Sequence, residues 1–177
     1  MSDLIRSSHD NAVAIITIDR PADGNVLTLD MLRELTAAIK SAAVSDAKVI
    51  ALRSTGADFC RGRDPKGGPV NPTTLVMRDQ ILQPILDVYA ALNEAPQPTV
   101  CAVQGAALGF GCAMATACDV TIAAAAEIRS GRAQRDHLGI AHRRRFNGRS
   151  QRAQHVERQH VALRCAVNGD AGDGGVA

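Results

Sequence analysis

Residues 12–19 (Ala-Val-Ala-Ile-Ile-Thr-Ile-Asp) are rich in β-branched side chains and carry no helical stripe. Pro21 follows almost at once, so the segment predicts a strand. Leu32, Leu35 and Ile39 then recur at helical spacing, with Met31 and Ala38 beside them. That pattern predicts an amphipathic helix over about 28–43, with Thr28 as its cap. Residues 48–53 form a short apolar run suited to a strand buried on both faces. A loop rich in Gly, Asp and Pro occupies 54–72. Ile81, Ile85, Val88 and Leu92 mark a second helix ended by Pro96 and Pro98. Within it, Pro84 must sit where its missing N–H is tolerated, or bend the helix. Residues 99–103 read as another strand running into a glycine loop, 105–111. A small-residue helix near 111–118 and a strand over 119–123 complete the pattern. Strands and helices in alternation predict an α/β arrangement with right-handed crossovers.

Beyond about residue 126 the periodicity stops. The expected organisation is a folded part, 1–126, and an anomalous Arg/Ala/Gly-rich tail, 127–177, that is poorly ordered. Charge divides in the same way. Residues 1–128 hold 10 basic and 14 acidic side chains, whereas 129–177 hold 10 basic, all Arg, and 4 acidic. Four of the five His also lie in the second part. A shifted reading frame of a G+C-rich gene, slipping near residues 124–128, would yield such a composition.

Several function classes are disfavoured. One Tyr, three Phe and no Trp leave little for a nucleic-acid reader built on aromatic stacking. The Arg143-Arg-Arg145 cluster belongs to no recognisable nucleic-acid module, so no nucleic-acid partner is expected. Five cysteines without a Cys-x-x-Cys pair predict neither a disulfide framework nor a zinc site, but small buried hydrophobes. His137, His142, His155 and His160 lack matched ligand spacing, so no metal is expected. No run reaches membrane-span length and no signal-peptide pattern opens the chain, which makes a cytoplasmic, membrane-free protein the expectation.

Two glycine loops, each following an apolar strand, are the candidate chemistry. They are Gly56-Ala-Asp-Phe-Cys-Arg-Gly-Arg-Asp64 and Val103-Gln-Gly-Ala-Ala-Leu-Gly-Phe-Gly-Cys112. Glycine permits positive φ and close approach to a backbone N–H. Where the second loop opens a helix, its free N–H groups carry the positive end of the dipole. Two such groups converging on one point would hold an oxyanion. Taken singly, each loop is equally a tight strand-to-helix turn, and neither is a dinucleotide or phosphate-loop fingerprint.

Together with Asp19-Arg-Pro-Ala-Asp-Gly-Asn25 before them and Ala117-Cys-Asp-Val-Thr-Ile-Ala123 after, these motifs closely resemble the crotonase superfamily, the enoyl-CoA hydratase/isomerase family. Order and spacing match across residues 10–124. The resemblance implies a crotonase-like ββα spiral, incomplete at its C-terminus, and an acyl-CoA thioester as substrate. Coenzyme A would be part of that substrate, with no separate cofactor. Thioester carbonyls in this family are polarised by two backbone N–H groups, here those of Arg63 and of Phe110, which follow Gly62 and Gly109. The family usually has glycine at the position of Phe110. Ala22, Asn25 and Val26, and the segment with Arg61, Gly62, Asp64 and Pro65, would line the CoA channel. Arg61, Arg63 and Lys66 would meet CoA phosphates or form a solvated basic loop.

The resemblance also implies two departures. Hydratases of the family use a glutamate where this chain has Ala113. They use a second in a Pro-Glu motif soon after the Cys-Asp strand, where this chain has none. Glu127 and Asp136 are the nearest carboxylates, and neither aligns. Each missing acid/base costs about 10²–10⁴-fold, so activity is expected to be impaired. The alternative is a non-catalytic CoA-thioester binding fragment. Intact relatives would be homotrimers or hexamers. With the family's C-terminal helices missing, the faces centred on Leu32, Leu35 and Ile39 and on Ile81, Ile85 and Val88 are expected to be only partly covered, which favours aggregation.

Overall fold

The computed structural model describes residues 3–66, 71–129 and 140–142. Strand β1 (Ile5–Asp10) pairs antiparallel with β2 (Val13–Ile18) through a two-residue turn. Asn11 opens that turn at φ 51°, a left-handed conformation that Asn tolerates. Strands β3 (Val49–Ser54), β4 (Thr99–Leu108) and β5 (Val120–Arg129) then add in parallel, each beside its predecessor. Strand β6 (Ile140–His142) closes the six-stranded order antiparallel to β5. The rest of the expected tail, with His137, His155, His160 and the Arg143-Arg-Arg145 cluster, lies outside the described residues.

The parallel strands need crossovers, and helices supply them. Helix α1 (Leu29–Ala43) is capped by Thr28, whose Oγ1 accepts from Met31 N–H at 3.2 Å. The second crossover is α2 (Thr74–Met77), a wide π turn (Arg78–Leu82) and α3 (Gln83–Glu94). Pro84 sits in the first turn of α3, where no N–H is required, and the π turn precedes it. The third crossover is α4 (Phe110–Ala117). Helix α1 packs on α3 and α3 on α4, so the helices form one layer over the strands. A sequential strand order joined by crossovers of one hand produces this arrangement.

Between them the layers bury an aliphatic core. Ile16, Ile18, Leu32, Leu35, Ile39, Ile50, Leu52, Leu92 and Met114 are all enclosed. This corrects one expectation. Leu32, Leu35 and Ile39 form no partly covered face but are fully buried with Val88, because α1 and α3 cover each other, whereas Ile81 and Ile85 of the second face are half-buried, as expected. The large apolar side chains left in solvent are others, among them Leu75, Leu82 and Leu86.

A second, smaller layer positions the site. After each of β2, β3 and the first half of β4, the chain makes a short extended segment before entering its helix. Leu27 bridges to Arg63 and Cys60 to Ala107, both in parallel. At Gly105 (φ 56°) β4 loses register, and its second half pairs with both Cys60 and the end of β5. Strand, short strand, helix is thus the repeating unit.

Candidate functional site

Three polar clamps hold the loops that follow β2 and β3. Asn25 is fully buried, and its amide donates to the carbonyls of Thr55 and Asp58, both at 2.7 Å, while its Oδ1 accepts from Arg20 N–H at 2.8 Å. Its side chain is engaged within the protein, where it ties the loop after β2 to the loop after β3. Arg20 reaches Asp64 at 2.7 Å and Asp23 at 2.9 Å and donates to the Val26 carbonyl at 3.2 Å. The Arg20 guanidinium holds the buried Asp64 carboxyl below the usual range, with help from the Lys66 N–H. Asp58 accepts from Ala106 N–H at 2.9 Å and from Arg61 Nε at 2.7 Å. Those two contacts, the backbone one first, also lower its pKa. Arg20 and Asp58 had no assigned role in the sequence reading. Arg20 was visible in the Asp19-Arg-Pro motif, but nothing in the one-dimensional pattern names its partner 44 residues on.

The backbone of 60–64 departs from plain alternation. Cys60 pairs on the β4 edge, with its N–H on Ala106 O at 3.1 Å and its carbonyl on Leu108 N–H at 2.9 Å. Arg61 N–H turns to the other edge and donates to Gly24 O at 3.1 Å. Regular alternation would send the Arg63 N–H to that same edge. Instead the Gly62 carbonyl accepts from Leu27 N–H at 2.9 Å and Asp64 N–H donates to Leu27 O at 2.8 Å. In a parallel bridge the residue between those two groups turns its own N–H away. Gly62 makes the shift by adopting φ 106°, a conformation that L side chains rarely adopt. The Arg63 N–H therefore faces the β4 edge.

On that edge lies the start of α4. Gly109 (φ 53°, ψ −117°) is its N-cap and Phe110 its first residue. The first N–H groups of a helix have no acceptor within it. A Cβ on Gly62 would stand 3.6 Å from Phe110 N and 3.1 Å from the Leu108 carbonyl oxygen. From that contact and covalent geometry, the amide nitrogens of Arg63 and Phe110 are no more than about 7 Å apart. Gly111 seals the two loops together, since a Cβ there would lie 2.1 Å from the Cys60 carbonyl oxygen.

The remaining predicted residues divide by exposure. Ala22, Arg61, Pro65, Lys66 and Gly109 are exposed, Val26, Arg63 and Ala113 half-buried, and Gly62 and Asp64 buried. Arg61 is tied by its Nε to Asp58, and its stem lies over Gly24. Phe110 turns its ring into the core, edge-on to Tyr89 of α3 with centroids 5.5 Å apart and planes at 89°. Burial raises the Cys112 thiol and pushes the Cys60 thiol up to about 11. Cys60, Cys101, Cys112 and Cys118 are buried free thiols. Among the described residues no group of three His, Cys, Asp or Glu is placed to hold a metal. Nor is any helix among them long and apolar enough to cross a membrane. Glu127 sits on β5 opposite Ala106.

Residues 8–141 match the family model described as enoyl-CoA hydratase/isomerase. A probable enoyl-CoA hydratase of Rhodobacter capsulatus is 39% identical over 122 residues, covering 68% of this chain and 46% of its own length. The probable enoyl-CoA hydratase EchA14 of Mycobacterium tuberculosis is 33% identical over 145 residues, covering 78% and 53%. The crystal structure of an enoyl-CoA hydratase from Mycobacterium smegmatis superposes with a TM-score of 0.64 at 28% identity, covering 68% of this chain and 47% of that one. The chain thus spans about half the length of the relatives it matches.

Proposed function

This chain belongs to the enoyl-CoA hydratase/isomerase family, and on that footing we propose that it holds the carbonyl oxygen of an acyl-CoA thioester between the N–H groups of Arg63 and Phe110. The observation that carries this reading is the approach of the two loops at Gly62, where a Cβ would stand 3.6 Å from Phe110 N. Two N–H donors sharing one oxygen at normal hydrogen-bond length stand up to about 6 Å apart. The upper bound of about 7 Å set by that approach is compatible with such a pair. The Arg63 N–H faces away from the Leu27 bridge, and the Phe110 N–H adds the positive end of α4.

Negative charge grows on a thioester oxygen as its α-carbon becomes enolate-like. Donors already aimed at that oxygen stabilise the charged state more than the neutral one, each by about 3–4 kcal/mol. Because both donors are main-chain groups, the side chains of Arg63 and Phe110 do not enter the step. Phe110 supports this by directing its ring into the core.

Proton transfer is the weaker half. A methyl group at Ala113 moves no proton, and loss of a positioned acid or base costs about 10²–10⁴-fold. The reading therefore favours thioester binding and carbonyl polarisation with slow hydration or isomerisation. Crotonyl-CoA hydration measured beside thioester binding separates the two. Binding with little turnover is expected. Phe110→Pro tests the donor itself, since proline suits the first position of a helix yet lacks the N–H. With the Arg63 N–H still in place it should lose about half or more of the carbonyl polarisation, and unchanged polarisation in that variant would refute the assignment.

A further inference from the structure

We infer that Tyr89 is a positioning residue for the second amide of this site, its ring pinning Phe110 and so fixing the direction of the Phe110 N–H. The inference rests on the thioester reading above and goes beyond it, because it assigns a role to a residue on a different helix. Gly109, which carries the preceding peptide unit, is exposed, and a Cβ there would meet nothing within 4 Å. No side-chain packing at that residue holds the peptide plane; its carbonyl accepts from Ala113 N–H at 3.1 Å, so the plane moves with the first turn of α4 and is only as fixed as that turn. On the next residue the situation reverses. Phe110 is only 8% exposed, and its ring meets the Tyr89 ring edge to face at 5.5 Å.

Tyr89 is itself well founded. It lies on α3 beside Val88, Ala91 and Leu92, all buried, and α3 packs against both α1 and α4. An edge-to-face pair resists rotation of either ring, because the positive edge of one must stay on the negative face of the other. The Phe110 side chain thereby becomes an arm that transmits the stiffness of α3 to the first turn of α4. Where the family resemblance places a glycine, this chain uses an anchored aromatic ring.

The test is a spectroscopic one on the full chain. The probe is 4-dimethylaminocinnamoyl-CoA, a push–pull thioester whose absorbance moves to the red when donors polarise its carbonyl. The wild type should bind it with a red shift. Tyr89→Phe keeps the ring and should keep the shift. Tyr89→Ala should bind within about threefold of the wild-type affinity yet lose about half or more of the shift, because the CoA contacts survive and the aimed donor does not. A red shift in Tyr89→Ala equal to that of the wild type would overturn this inference alone. Binding without any shift in the wild type would overturn the thioester reading and this inference with it. If Tyr89→Ala does not fold, Tyr89→Leu fills the space without an aromatic face and is judged by the same criterion.

Discussion

Gly111→Ala adds one methyl group at the seam between the two loops. A Cβ at this position would lie 2.1 Å from the Cys60 carbonyl oxygen and 2.9 Å from both the Cys60 carbonyl carbon and its Cβ. The neighbours are mostly backbone, so no rotamer change relieves the overlap. The loop and α4 must separate by about 1 Å to restore ordinary contact. Two backbone hydrogen bonds resist that motion, Cys60 N–H to Ala106 O and Leu108 N–H to Cys60 O. Weakening buried bonds of this kind costs about 1–3 kcal/mol each, and the expected total is about 2–4 kcal/mol. For a chain of 177 residues, about 2–4 °C per kcal/mol gives a fall in Tm of roughly 5–15 °C. A thermal melt followed by far-UV circular dichroism measures it. Thr116→Ala, on the exposed side of the same helix, serves as reference and should stay within about 0.5 kcal/mol of the wild type. The same substitution at 111 should lower thioester binding, because it spreads the two amides. A Gly111→Ala protein melting within about 2 °C of the wild type would refute the close approach.

Three further outcomes follow from the clamps and the core. Asp64 keeps its charge below the usual carboxylate range because Arg20 holds it. The unfolded chain protonates it near pH 3.9, so its stabilisation is complete above about pH 4 and is lost as pH falls through the lower folded value. Asp64→Asn should therefore be less stable at pH 7 and lose stability less steeply below about pH 4, and equal slopes in urea titrations would count against the pair. Asn25→Ala leaves the Arg20 N–H and the carbonyls of Thr55 and Asp58 without their partner and adds a Cβ-only residue at φ 55°, so a loss of about 2–4 kcal/mol is expected. Asn25→Gly, which removes the backbone strain, should recover about 1 kcal/mol of it in the same denaturation assay. In a Cys165→Ser background, Ellman's reagent at pH 8 should label Cys60, Cys101, Cys112 and Cys118 only as fast as the protein unfolds, since all are buried and burial holds the Cys60 thiol near 11. Rapid native-state labelling of Cys60 would refute its placement.

The legible elements were those with a strong periodic signal. Leu32, Leu35 and Ile39 located α1, and Thr28 caps it as expected. The apolar run at 48–53 became β3, shifted by one residue. Strand β1 was missed because Ile-Arg-Ser-Ser-His-Asp is an edge strand largely in solvent, so it carries no apolar alternation. Strand β5 runs on to Arg129 past the point where the apolar pattern fades, held by pairing to the second half of β4. The π turn before Pro84 was only half legible, since the proline announces a disturbance but not its form.

Asp119 illustrates the limit at the level of single residues. Its motif was conspicuous, yet its carboxylate serves β4, accepting from Thr99 N–H and Thr99 Oγ1–H at 2.9 Å each. Chemistry-bearing residue types also build scaffolds, and only the partner distinguishes the two uses.

The amino-acid sequence by itself determined the α/β alternation, the family, and the two glycine loops in their order along the chain, because hydrophobic period and glycine placement are local properties. Tertiary structure alone decided that Gly62 turns the Arg63 amide to the β4 edge, that Arg20 closes on Asp64, and that the Phe110 ring leans on Tyr89. Those contacts join residues far apart in the chain, and their strength depends on separation in space, which no one-dimensional pattern records.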